Sequence, residues 1–297
     1  MAIYSIKDLE ILTGIKAHTI RVWERRYNLV DPRRTHTNIR CYNDDDLKRL
    51  LNVSILNQNG FKISKIASLD DSQLRNRVLD LCMDSRNVNV MIESLLVAML
   101  ELDELKFSRV LSSSVIKTGF EGTIEEVLFP FLERVGVLWQ SGTISPAQEH
   151  FISNLIRQKL MVAIDSEMQN TPVVQRQRIL FFTPEQEWHD MGLLFFSLLA
   201  RKAGFEIIFL GASVPLVDLS IVRAIRPFQA IFFTLVGARK KESFSRLIGD
   251  IDHAFPNFPV FVSGLQFKEL QPMLPPNFVV CSSAALFKQA LKRLFME

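Results

Sequence analysis

The sequence predicts a multidomain α and α/β chain: a winged helix-turn-helix, then a helical bundle, then a doubly wound parallel sheet. Three observations carry this. Apolar residues recur at helical spacing from about 73 to 169, whereas after 178 short runs of Ile, Phe, Val and Leu alternate five times with helical stretches. Those runs are apolar at nearly every position, the pattern of strands buried on both faces of a parallel sheet. Charge is unevenly placed: residues 1–70 hold 12 Lys and Arg against 8 Asp and Glu, an excess larger than the whole chain's net +3. A basic partner surface is therefore expected at the amino-terminal end.

At 297 residues the chain has room for two or three domains, and 48% hydrophobic with 23% charged residues makes it globular rather than disordered. Its longest apolar stretches, such as 193–200, fall far short of the roughly 20 residues a bilayer span needs. The start, Met1 to Lys7, has neither the charged nor the apolar region of a signal peptide. Cys41, Cys82 and Cys281 lie far apart, with no pair at metal-binding spacing and no even count for a disulfide frame. No membrane partner and a reducing, cytoplasmic setting are expected.

Ser5 caps a first helix whose apolar face is Ile6, Leu9 and Leu12. Thr13-Gly14-Ile15 makes a tight turn. A second helix begins at Lys16 or Ala17, with Ile20, Trp23 and Tyr27 set for packing and His18, Thr19, Arg21, Arg25 and Arg26 at exposed positions. Two short helices joined by a glycine turn, the second rich in arginine, form a helix-turn-helix. Arg33, Arg34, Arg40 and Tyr42 suit a two-stranded wing whose arginines reach the phosphate backbone. Asn43, with Asp44, Asp45 and Asp46, caps a helix over 47–57. The plain alternative is that an arginine-studded helix is only a solvated face.

The segments Tyr4 to Leu9, Thr13-Gly14-Ile15, Thr19 to Tyr27, Pro32-Arg33, Arg40-Cys41-Tyr42 and Asp45-Asp46-Leu47, with 60–66 after them, resemble the winged helix-turn-helix of the MerR regulator family. The match covers nearly all of residues 3–69. It implies a double-stranded DNA operator as partner, bound through Lys16, His18, Thr19, Arg21, Arg25, Arg33, Arg34, Arg40 and Tyr42. Metal-sensing members carry cysteines behind this module; no such set stands here, so metal sensing is disfavoured.

Residues 71–171 read as a helical bundle, with helices over 73–85, 87–101, 103–117, 122–141 and 145–169. Trp139 ends one helix; Ser145 caps the next with Pro146 at its first position, and Glu149-His150 falls in its first turns. Taken alone, Trp139 reads first as a core residue and Glu149-His150 as an exposed cap pair. A polar connector over 171–178 follows. Strands are expected at 178–183, 206–210, 230–235, 259–263 and 278–281, with helices between them and after the last.

Glu187-Trp188-His189-Asp190-Met191-Gly192 follows the first of these strands, at the strand end where ligands bind in open α/β sheets. An imidazole there can ligate a metal, and a carboxylate two residues earlier can orient its second nitrogen. A glycine three residues later lets a bulky planar ligand approach the backbone. The plain alternative is an exposed loop histidine beside an incidental acid. The later loops offer Gly211-Ala212-Ser213, Thr234, Ser263-Gly264 and Ser282. A phosphate-binding Gly-x-Gly-x-x-Gly turn is excluded by Thr183-Pro184-Glu185.

The spacing Gly136-x-x-Trp139-x-x-Gly142-x-Ile144, then Glu149-His150, resembles the helical cap of cobalamin-dependent regulators and methyltransferases. Residues 178–297 resemble the flavodoxin-like cobalamin-binding domain that follows that cap: Glu187, His189 and Gly192, then Thr234-x-Val236 for the family's Ser-x-Leu, then Ser263-Gly264 for Gly-Gly. The resemblance implies cobalamin held between His189, ligating cobalt from below, and Trp139 and Glu149 above, with His150 beside them. Thr234, Val236, Ser263 and Gly264 would line the slot for the displaced nucleotide tail, where the Ser263 side chain takes up room; Ser213 completes the set.

Together these readings make a transcriptional regulator, with repression the expected sign, over domains at 1–70, 71–171 and 178–297. The similarity to light-responsive members that control carotenoid genes implies adenosylcobalamin as a light-labile cofactor. It further implies a homo-oligomer, dimer or tetramer, whose operator binding that cofactor controls, with a protein antirepressor as a further partner. Two alternatives stand beside this. One is a regulator whose tail has lost the cofactor and answers to a protein partner, favoured by Ser263. The other is a corrinoid carrier for methyl transfer, against which the DNA-binding head argues.

Overall fold

The computed structural model describes residues 4–34, 38–84, 87–140, 143–170, 177–270 and 273–295. Gly142 and most of the expected connector, 171–176, lie outside the described residues. The chain forms two compact units, Met1–Leu155 and Ile156–Glu297. No helix among the described residues is long and apolar enough to cross a membrane.

In the first unit, α1 (Ile6–Thr13) starts at a reciprocal cap: Asp8 N–H donates to Ser5 Oγ at 3.3 Å, and Ser5 N–H to Asp8 Oδ2 at 2.7 Å. Gly14, at φ 69°, ends it in the left-handed region that glycine adopts without strain. Lys16 gives α2 (Ala17–Tyr27) no side-chain cap. Glu10 of α1 supplies one, accepting from Ala17 N–H at 3.1 Å and pairing with Lys16 Nζ at 3.0 Å. The wing strands β1 (Arg33–Arg34) and β2 (Arg40–Cys41) run antiparallel with Arg33 opposite Cys41. A second reciprocal cap, Asn43 with Asp46, opens α3 (Asp44–Gln58), and α4 (Ile63–Ile66) and α5 (Asp71–Asp84) follow.

The centre of this unit is α6 (Val88–Glu101), buried on every side from Val90 to Leu100, where all residues but Glu93 and Ser94 are apolar. It packs against α3, α5, α7 (Glu104–Gly122) and α8 (Phe129–Gln140). Because α3 of the head lies on α6 of the bundle, the boundary expected near residue 70 is no break in packing. The expected gap between helices at 118–121 is likewise closed. Gly119, at φ 75° and ψ 170°, kinks the helix, and a π-helical turn over Thr123–Leu128 carries it on into α8. Thr123 Oγ1 spans the kink, donating to the Gly119 carbonyl at 2.8 Å. The long helix α9 (Pro146–Asn170) comes next.

The second unit alternates β3 (Arg178–Pro184), α10 (Met191–Lys202), β4 (Glu206–Val214), α11 (Leu216–Ile225), β5 (Ala230–Thr234), α12 (Lys241–Ala254), β6 (Val260–Ser263), α13 (Leu265–Leu270), β7 (Phe278–Val280) and α14 (Ala284–Phe295). All strand pairs are parallel, in the order β4-β3-β5-β6-β7. Phenylalanines fill both faces: Phe181 and Phe232, paired in register, stack at 4.9 Å, and Phe182 and Phe233 lie 5.7 Å apart on the other face. The chain goes from β3 to β4 on one side and returns to β5 on the other. That reversal opens a crevice above the carboxyl ends of β3 and β5. One expectation changes: Gly211-Ala212-Ser213 lies inside β4, not in a loop after it. Gly211 (φ 84°) and Ser213 (φ 57°) make an irregularity that lengthens the strand while shifting its register.

Candidate functional site

The loop after β3 rises into that crevice and carries Glu187, His189 and Asp190. Glu187 is 1% exposed and His189, on the same loop, has 62% of its side chain exposed. The Glu187 carboxylate gathers four donors. Oε1 takes the His189 ring Nδ1 at 2.6 Å and the His189 N–H at 3.0 Å; Oε2 takes the N–H groups of Val236 and Gly237 at 2.8 Å each. Burial alone would raise this carboxyl, but the bonds from His189, Val236 and Gly237 outweigh it and hold it at about 2. An ionised carboxylate only accepts, so Nδ1 carries a proton and donates to Oε1.

The backbone of the loop is pinned as well. The Glu187 carbonyl accepts from Thr183 Oγ1 and from Ser213 N–H at 3.1 Å, and Ser213 Oγ accepts from Gln186 N–H at 3.0 Å. Ser213, a candidate ligand contact, thus uses its hydroxyl to hold the histidine loop. Asp190 is buried and pairs with Arg157 of α9. The sequence gives no sign of these roles for Gly237 and Thr183, because they are played by an N–H group and by a hydroxyl facing its own loop.

At the end of β5, Thr234 is buried and its Oγ1 has no hydrogen-bond partner among the described residues. A Cβ on Gly192 would lie 3.5 Å from Thr234 Cγ2, an ordinary contact, so packing within the chain does not require glycine there. Gly264 differs. At φ 113°, a Cβ would fall 2.2 Å from the Leu235 carbonyl oxygen, and backbone approach alone demands glycine. Ser263 is buried beside it, its carbonyl accepting from Leu235 N–H at 2.9 Å.

In the first unit, Trp139 is 52% exposed near the end of α8, which sets aside its reading as core. In α9, Glu149 Oε2 meets His150 Nδ1 at 2.6 Å, and Ser153 Oγ donates to its other oxygen. In the head, Lys16, His18, Arg21 and Arg25 are exposed along α2, Thr19 is half-buried, and Arg33 and Arg34 are exposed on the wing. Arg40 and Tyr42 depart from the expected DNA-facing set. Arg40 Nε donates to both oxygens of Glu24 at 3.1 Å, and Tyr42 is 1% exposed with its hydroxyl 3.5 Å from the same carboxylate. An acid at the centre of α2 draws both inward and fastens the wing to that helix.

Residues 4–73 match the family model described as MerR HTH family regulatory protein, and residues 91–163 match the model described as B12 binding domain. The HTH-type transcriptional repressor CarH of Myxococcus xanthus is 33% identical over 270 residues, 88% of this chain and 88% of that protein. The HTH-type transcriptional repressor CarA of the same organism is 29% identical over 268 residues, 89% of this chain and 87% of its own length. The HTH-type transcriptional regulator MlrA of Escherichia coli (strain K12) is similar only at the head: 38% identity over 69 residues, 23% of this chain and 28% of that protein. The chain belongs to the MerR family of HTH-type transcriptional regulators, in the group that carries a B12-binding domain.

Proposed function

We propose that this regulator is a repressor that binds adenosylcobalamin, with His189 as the lower ligand to cobalt, and that the bound cofactor governs its assembly on an operator. The observation that carries the reading is the buried Glu187 carboxylate. It holds the ring through Nδ1 and so presents Nε2, the arrangement that second-shell carboxylates give to metal-ligating histidines. Thr234 adds independent support. A buried hydroxyl without a partner costs stability, and a ligand's polar group would satisfy it. The residues present therefore fit the group.

When bound, the cofactor supplies a cobalt–carbon bond that light cleaves. The chain's own residues do the rest. His189 is oriented before any ligand arrives, because both oxygens of Glu187 are already engaged. Thr234, Val236, Ser263 and Gly264 are assigned to the nucleotide tail, and Gly192 leaves the corrin side of the loop open. Trp139 and Glu149, with His150, are assigned to the upper ligand. An exposed indole face and a carboxylate acceptor suit an adenosyl group and gain nothing from a methyl or hydroxyl. On the DNA, Lys16, His18, Thr19, Arg21 and Arg25 are assigned to α2 contacts and Arg33 and Arg34 to phosphates.

Sedimentation of the full chain with adenosyl-, methyl- and hydroxocobalamin, in the dark and after illumination, tests the switch. The expected result is a larger homo-oligomer with adenosylcobalamin in the dark alone. One oligomeric state across all conditions would remove cofactor-controlled assembly, whatever His189 binds.

A further inference from the structure

A helix leaves the carbonyls of its last turn to be satisfied from elsewhere. In α1 the Glu10 carbonyl takes Gly14 N–H at 2.9 Å, and the Leu9 carbonyl takes Thr13 Oγ1 at 2.6 Å. Two further carbonyls at this end use side chains from outside the helix-turn-helix. Thr13 O accepts from Ser54 Oγ of α3 at 2.8 Å, and Leu12 O accepts from Arg134 Nη2 of α8, 122 residues away, at 2.6 Å. The turn that sets α2 against α1 is thus fastened in part by the bundle.

The other arm of Arg134, Nη1, pairs with Glu93 of α6. Glu93 is 8% exposed, and its Oε2 has no hydrogen-bond partner among the described residues. A buried carboxylate held on one side only depends on that guanidinium. The fork is planar and rigid, so a shift of α8 displaces both contacts together. Two features mark α8 as an element able to shift. It follows the Gly119 kink and a π-helical turn, where a helix accommodates a change of register, and it carries Trp139 five residues beyond Arg134.

We propose that Arg134 is a positioning residue for DNA binding: it fastens the α1–α2 turn to α8, so that the position of α8 sets the presentation of α2 to the operator. Its input rests on the assignment of Trp139 to the upper ligand; the link from α8 to the turn stands on the geometry above.

Two full-length variants test it. Arg134→Lys keeps a charge beside Glu93, but a point ammonium cannot span both acceptors. Glu93→Gln with Arg134→Gln removes the buried charge and keeps an amide pair in its place, so one variant survives if the other fails to fold. The readouts are amide hydrogen exchange at Gly14 and Ile15, and the affinity ratio between a duplex selected by the wild type from a randomised pool and a scrambled duplex. Without cofactor, both variants are expected to exchange about tenfold faster at the turn and to lose about tenfold in the ratio. Their salt dependence should match the wild type, because Arg134 reaches no phosphate. With adenosylcobalamin in the dark, exchange at the turn should change in the wild type and not in Arg134→Lys. Wild-type exchange and ratio in both variants would overturn the proposal, as would a wild-type turn indifferent to spectroscopically bound cofactor. If no cofactor binds, absorbance shows that separately, and the cofactor-free arms alone decide.

Discussion

The Glu187 carboxylate holds the His189 ring at Nδ1 with one oxygen and the N–H groups of Val236 and Gly237 with the other. One buried side chain therefore aims the imidazole and ties the loop after β3 to the loop after β5.

Glu187→Gln keeps the shape but places an NH2 against N–H donors. Cobalamin affinity should fall by about 10–100-fold, read by absorbance titration. The apo-protein should also lose stability with a defined pH dependence. The carboxyl sits at about 2, below the ordinary 4.5, so its network stabilises the fold fully above 4.5 and is lost as the pH falls through about 2. In denaturation curves the gap between wild type and variant should be steady near neutrality and should close below pH 4.5. A gap that ignores pH across that window would remove Glu187 as its source.

Thr234→Val replaces a partnerless buried hydroxyl with a methyl. The apo-protein should gain about 1 kcal/mol in urea denaturation, while cobalamin binding weakens. A loss of apo stability would mean that the hydroxyl already has a partner in solution.

Arg33→Ala and Arg34→Ala should each flatten the salt dependence of DNA binding by about one counterion. Arg40→Ala should leave that slope alone and lower thermal stability, because its guanidinium is spent on Glu24 inside the head. An equal slope change for all three would put Arg40 back on the phosphates.

Those arginines mark where the sequence stops being legible. An arginine in a wing reads as a phosphate contact unless the acid that claims it is seen, and Glu24 lies 16 residues earlier in α2. The five strands were legible because Ile, Phe, Val and Leu runs announce burial on both faces, and the contact of Glu187 with the His189 ring because a carboxylate two residues before a histidine can reach its nitrogen. Gly211 and Ser213 read as a loop since glycine and serine usually end strands; here positive φ angles bend β4 and let it continue. The bond from Arg134 to Leu12 left no signal at all, because a backbone carbonyl has no residue identity.

Burial pushes the Cys281 thiol up to about 12. The thiolate is the reactive form, so at pH 8 the native protein should resist iodoacetamide at Cys281 and react there after denaturation, as peptide mass mapping would show. Alkylation of the native thiol at the unfolded rate would contradict its place in the core.

In the proposed reading, His189 ligates the cobalt of a bound cobalamin. Absorbance spectra of wild type and His189→Ala, each mixed with adenosylcobalamin in the dark and then illuminated, decide the point. The wild type should bind tightly, show a histidine-ligated spectrum and change on illumination, while His189→Ala loses that spectrum and most of the affinity. The same affinity and the same spectra in both proteins would show that His189 is not the ligand.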